Sequence, residues 1–173
     1  MRLSFVLRKV IPSDISLFQQ CFDNKEFAHN IGEVDPMKII SLKSPHVVLI
    51  VSILKQNEKC DIGFCSFYHQ ETGSYLYLGG IHPKYFDSGY GLYASIAVLS
   101  YMFDVMEADE INTVVYNYNK RSLRMLLSIG FIETKTENNL HVLKLGKKVF
   151  PNEFAKLIKQ KIDYQVNSSL HEI

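Results

Sequence analysis

The apolar positions change period several times along the chain, and each change marks an element. Leu3-Ser4-Phe5-Val6-Leu7 reads as a first strand. Pro12-Ser13-Asp14 carries helix-start signals ahead of Ile15, Leu17, Phe18 and Phe22, while Asp23-Asn24 and Asn30-Ile31-Gly32 divide the helical region into two short pieces. Asp35-Pro36 opens another helix through Ile39, Ile40 and Leu42, which Ser44-Pro45 closes. Val47 to Leu54 is an unbroken β-branched run, the pattern of a strand buried on both faces. After a turn at Gln56 to Lys59, Cys60 to His69 returns as its hairpin partner. Glu71 to Ser74 turns again, and Tyr75 to Gly80 makes the fourth strand.

From Gly91 the period becomes helical, with Leu92, Ile96, Leu99, Phe103 and Met106 on one face. Ile111 to Tyr116 is a fifth strand, so strands four and five form a strand–helix–strand unit and should lie parallel. Asn119 caps a helix over Ser122 to Ile129 that stops at Gly130. Ile132 to Thr136 and Leu140 to Leu145 close the pattern as a hairpin about Asn138-Asn139. Beyond it, Phe154, Leu157, Ile158 and Ile162 give Pro151 to Ile162 the face of an amphipathic helix, followed by a polar tail from Val166. The elements specify a mixed α/β (α+β) fold.

Composition narrows the function classes. A chain of 173 residues is about one domain, and 47% hydrophobic content with a net charge of +1 describes a soluble globule. That charge gives no reason to expect nucleic acid as a partner. The longest nearly uncharged stretch, Leu92 to Phe103, is well short of a membrane span, and the apolar run Leu3 to Leu7 is too short for a secretory signal. Three cysteines fit a reducing compartment, so a cytoplasmic location is expected. Cys60 and Cys65 sit five apart in one strand, hence on opposite faces, and no histidine cluster accompanies them. Metal binding is therefore not expected.

The candidate chemistry lies between Gly73 and Phe131. The fourth strand runs into Gly79-Gly80-Ile81-His82-Pro83, then the loop to Gly89-Tyr90-Gly91 and a helix start. Unpaired N–H groups, the helix dipole and bare glycine backbone make such a junction an anion site. No Gly-Lys-Ser or Gly-Lys-Thr is present, and the acidic residues after the helix precede the next strand, so neither the Walker loop nor the dinucleotide fingerprint fits.

Pro83 to Leu92, Asn119-x-x-Ser122 and Gly130-Phe131 together resemble the GCN5-related N-acetyltransferase (GNAT) superfamily. The resemblance implies one acyltransferase domain over residues 1–146, a sheet of about seven mostly antiparallel strands flanked by helices, and a helical extension over 147–173. It implies acetyl-CoA as co-substrate and a small-molecule amine, such as an aminosugar or amino acid derivative, as acceptor. Gly80, Ile81 and His82 would meet the pantetheine; Ser88, Gly89, Tyr90, Gly91 and Leu92 would hold the pyrophosphate; Asn119 and Ser122 would flank the arm. Phe86 and Ser88 stand where the family often has basic or amide residues, so Lys84 or Lys120 is expected to supply charge.

The amine must lose a proton and the departing thiolate must gain one. Leu126 occupies the position where many members have an acid tyrosine. Tyr116 or Ser122, or water, is left for that step; for the base, the candidates where strands three and four meet the cleft are His69 and Glu71 beside the turn, with Tyr75 and Tyr77 on one strand face. Two alternatives remain open: an acyl carrier protein as donor, and a non-catalytic member of the fold serving as a binding module. A homodimer through the C-terminal helix or a sheet edge also remains open.

Overall fold

The computed structural model describes residues 3–56, 58–150 and 162–166. An eight-stranded sheet in the order β6-β7-β5-β4-β3-β2-β1-β8 forms the framework. The strands are β1 (Leu3–Lys9), β2 (Val47–Lys55), β3 (Glu58–His69), β4 (Tyr75–Ile81), β5 (Glu110–Tyr116), β6 (Ile132–Glu137), β7 (Leu140–Gly146) and β8 (Ile162–Val166). Pairing is antiparallel except for β4 with β5 and β1 with β8. The predicted helix at Pro151 to Ile162 lies outside the described residues apart from Ile162, which instead begins β8. That strand brings the sheet to one more than the expected seven.

Helices cover both faces. α1 (Ile15–Phe22), α2 (Lys25–Ile31) and α3 (Pro36–Ile40) lie on one side; α4 (Tyr90–Asp104) and α5 (Lys120–Ile129) lie on the other. The continuous apolar run of β2 is explained by this sandwich. Val48 and Ile50 enter the core with Phe18 and Phe27, whereas Leu49, Val51 and Ile53 enter the core with α4. A bulge opposite Val51/Ser52 leaves Ile62 extra in β3 and shifts the alternation there. Cys60 and Cys65 consequently join the same core, correcting the expectation of opposite faces. Near the end of β1, the Arg8 guanidinium donates to both Asp14 carboxylate oxygens at 2.8 Å and to Asp61 Oδ2 at 2.8 Å, anchoring the start of the helical region to β1 and β3.

Candidate functional site

β4 is the strand where the sheet divides. It follows β3 from Tyr75 to Ile81, yet pairs with β5 only at Tyr75–Ile111 and Leu76–Asn112. β5 is meanwhile held along its whole length by β7, from Glu110–Gly146 to Tyr116–Leu140. The two half-sheets therefore part beyond Leu76. The side facing the gap follows from strand parity: His82 N–H donates to Ile62 O on β3, and Tyr77 O accepts from Thr113 Oγ1 on β5 at 2.9 Å. Gly79 and Ile81 share the parity of Tyr77, so their backbone groups face the opened gap.

A cavity of about 560 Å³ runs through this gap. On the α2 side it is lined by Phe27, Asn30, Leu78, Gly80 and Tyr116; on the α4 side by Tyr77, Gly79, Ser95, Thr113 and Leu126. Gly80 permits the narrow approach of α2, because a Cβ there would lie 2.4 Å from the Phe27 ring. Tyr118 clamps the same helix from the other side, donating to His29 O at 2.7 Å while its ring lies between His29 and Tyr116, at 4.2 and 5.0 Å between centroids.

At the mouth, Pro83–Tyr85 forms a 3-10 turn whose start is capped by His82 Nδ1, accepting from Lys84 N–H. The chain then reaches α4 through two left-handed residues, Asp87 (φ +60°) and Gly89 (φ +79°). Ser88 Oγ donates to Tyr85 O at 2.6 Å and accepts from Tyr90 N–H at 3.2 Å, which caps the first helical residue. The N–H groups of Gly91 and Leu92 come next in that first turn, where an α-helix supplies no internal acceptor. Three cations surround the loop, each against one of its aromatic rings. Lys84 Nζ lies 5.7 Å from the Tyr85 centroid, the Arg121 guanidinium 4.7 Å from Phe86, and Lys55 Nζ 5.5 Å from Tyr90. Arg121 also bonds Asp87 Oδ1 at 2.9 Å and reaches Glu26 at 3.8 Å, joining α5 to the loop and to α2.

The expected site residues divide accordingly. Gly80, Ile81, Gly89, Gly91, Leu92, Tyr116, Asn119 and Ser122 line the cavity. Asn119 Oδ1 caps α5 by accepting from Ser122 N–H at 3.2 Å. Ser88 and Tyr90 shape the loop rather than line the cavity, and the His82 ring is engaged by Lys84 N–H and by Gln20 Oε1 at 3.1 Å. Burial and the neighbouring Lys84 charge push the His82 pKa down. His69 and Glu71 are not brought to the cavity. They belong to the closed end of the β3–β4 hairpin, where His69 pairs with Tyr75, four residues or about 13 Å along the strand from Gly79. Among the described lining residues the only carboxylate is Asp87, already bonded to Arg121.

Ser95, Thr113 and Lys55 do not stand out as site residues in the sequence, whereas the alternation of β4 puts Tyr77 on one face with Tyr75 and Arg121 lies within the Asn119–Ser122 segment. Lys55 comes from β2, distant in sequence from the loop. Among the described residues no three His, Cys, Asp or Glu side chains gather as a metal site requires, and no helix is long and apolar enough to cross a membrane.

The family model described as an acetyltransferase (GNAT) domain matches residues 5–132. Among solved structures, a domain from Methanocaldococcus jannaschii superposes with a TM-score of 0.72 at 14% identity, covering 82% of this chain and 97% of that one. Spermidine N-acetyltransferase from Vibrio cholerae, in complex with CoA and spermine, gives 0.70 at 16% identity over 86% of this chain and 98% of that one. A GNAT-family acetyltransferase from Bacillus anthracis gives 0.67 at 17%, over 86% and 96%. A search of curated proteins returned no match.

Proposed function

The chain belongs to the GNAT acetyltransferase family, and on that premise we propose that it transfers an acetyl group from acetyl-CoA to the amine of a small molecule by direct attack. The observation that carries this reading is the continuous path from a cation-ringed helix start into a gap lined by unpaired backbone of β4. The pyrophosphate fits the turn at Gly89 to Leu92, where helix N–H groups, Lys84, Lys55 and Arg121 supply positive potential. The pantetheine arm follows Ile81 and Gly79 into the gap, taking up strand-edge hydrogen bonds that β5 leaves unused. The Gly79 N–H faces the place where the thioester carbonyl would develop negative charge.

The acceptor enters from the α2 side, between Asn30 and Tyr116. With no histidine or glutamate among the described lining residues, the amine's proton passes to water rather than to His69 or Glu71. Three cations at the loop favour a CoA donor over a carrier protein, whose prosthetic group would present a single phosphate there. The same intact path of backbone donors speaks against a module without turnover.

Thiol release from acetyl-CoA, measured with a panel of aminosugars, amino acid derivatives and polyamines, tests the reading. Release dependent on one amine class supports it. Failure of calorimetry to detect acetyl-CoA binding at millimolar ligand would overturn it.

A further inference from the structure

We propose that Tyr77 is the proton donor to the CoA thiolate, an assignment that rests on the acyltransfer reading above. Leu126 stands where a family member would carry its acid tyrosine, and it is buried against the cavity with no proton to give. Tyr77 lines the same cavity from the same face of the sheet, on β4 instead of α5. Its ring stacks on Phe67 at 5.1 Å and folds forward along the strand. A Cβ built on Gly79 would lie 2.8 Å from the Tyr77 hydroxyl oxygen, so the phenol rests against the residue whose backbone borders the gap. Glycine at 79 is what admits it.

The hydroxyl is poorly engaged at present. Its partner is Ser95 Oγ at 3.4 Å, a long contact that a sulfur ligand can replace. Burial, with the neighbouring Cys65 thiol, pushes the phenol pKa up, so the hydroxyl is protonated before transfer and a free phenolate is disfavoured after it. Tyr116 does not compete, because its hydroxyl lies on the opposite side, 2.8 Å from a Cβ built on Gly32 after α2.

In the step, the C–N bond forms and the C–S bond breaks as the phenolic proton passes to sulfur. As that proton leaves, water in the cavity hands the phenol oxygen the proton shed by the attacking nitrogen, so no free phenolate stands in the buried site. The net transfer is one proton from nitrogen to sulfur, with no further reactant.

The test compares Tyr77→Phe, and fluorotyrosines of graded acidity placed at 77, with the wild type. Expected for Tyr77→Phe is a fall in kcat of about 100-fold, an acetyl-CoA Kd within about twofold, and an unchanged Tm, since the stack on Phe67 survives. Fluorotyrosines keep the shape and should move kcat with phenol acidity while leaving Kd alone. Wild-type kcat in Tyr77→Phe, or kcat indifferent to fluorination, would overturn the assignment while leaving the acyltransfer reading intact. A wild-type protein that releases no thiol with any amine would overturn both.

Discussion

Gly89 separates two demands that the loop makes on one position: a left-handed backbone and an open approach for phosphate. Its φ of +79° and ψ of −7° are left-handed, and a Cβ built there meets nothing within 4 Å. Gly89→Ala therefore carries no steric penalty, only the conformational one, about 1–2 kcal/mol. For a chain of this length that lowers Tm by about 2–8 °C. Gly89→Glu carries the same backbone cost, and open space lets its side chain extend without displacing a neighbour. Its carboxylate would nevertheless lie beside a bound diphosphate. Two unit charges 4 Å apart near a protein surface repel by about 4 kcal/mol, and screening with side-chain freedom cuts this to about 1.5–3 kcal/mol, a 10- to 100-fold loss of affinity. Differential scanning fluorimetry should thus find the two variants alike in Tm. Titration calorimetry should find acetyl-CoA binding nearly preserved in Gly89→Ala and strongly weakened in Gly89→Glu. Equal weakening in both would make backbone geometry the whole effect, and undiminished binding to Gly89→Glu would remove the diphosphate from this turn.

Arg121→Gln should weaken acetyl-CoA about tenfold, in line with one charge-assisted contact at a half-exposed site. Its affinity should also vary less with salt than the wild type's, which titrations at two ionic strengths would show. His69→Ala should leave kcat and its pH profile unchanged, because His69 lies at the closed end of the hairpin. The wild-type profile should instead track the acceptor, its midpoint moving when one amine is exchanged for another of different pKa; a midpoint fixed near 6.5 would reinstate a histidine base. At Asp14, burial pushes the carboxyl pKa up, but hydrogen bonds from Arg8 and Ile11 N–H and the Arg8 charge more than reverse this, leaving it lowered. A lowered folded-state pKa contributes stability that is present above the unfolded value and lost as pH falls through the folded one. Asp14→Asn should therefore cost about 1.5–3 kcal/mol at neutral pH and flatten the acid limb of a Tm-versus-pH curve below about pH 4.

Much of the fold is legible in the sequence because its elements announce themselves locally. The β-branched run of β2, the Asp35 and Asn119 caps and the Asn138-Asn139 turn, where both residues have positive φ, are each specified within a few residues. Features that depend on register or on distant partners are not legible in this way. One extra residue at Ile62 puts Cys60 and Cys65 in a single core, and no local signal marks such a bulge. Strand order alone makes β4 and β5 neighbours, but the end at which they part shows only in their ladder, which stops after Leu76–Asn112. That is why His69 and Glu71, at the turn, are attractive bases on paper and lie at the wrong end in space.

Lys84 is the cation expected at the loop, but the rest of the loop's charge is harder to read in the sequence for a related reason. Phe86 in place of a basic residue reads as a loss when each position is weighed alone. In the fold, Phe86 is a platform: its ring carries Arg121 at 4.7 Å, just as Tyr85 carries Lys84 and Tyr90 carries Lys55. A cation seated on a ring keeps its charge while giving up some of its freedom, so less entropy is lost when a phosphate arrives. The arrangement also makes the loop dependent on its surroundings, since two of its three cations come from α5 and the β2–β3 hairpin. Phe86→Leu would keep the apolar contact but remove the ring face. It should therefore weaken acetyl-CoA binding through Arg121, with little further loss when added to Arg121→Gln. Additive losses in that double-mutant cycle would show the ring and the guanidinium acting independently, and the platform argument would fail.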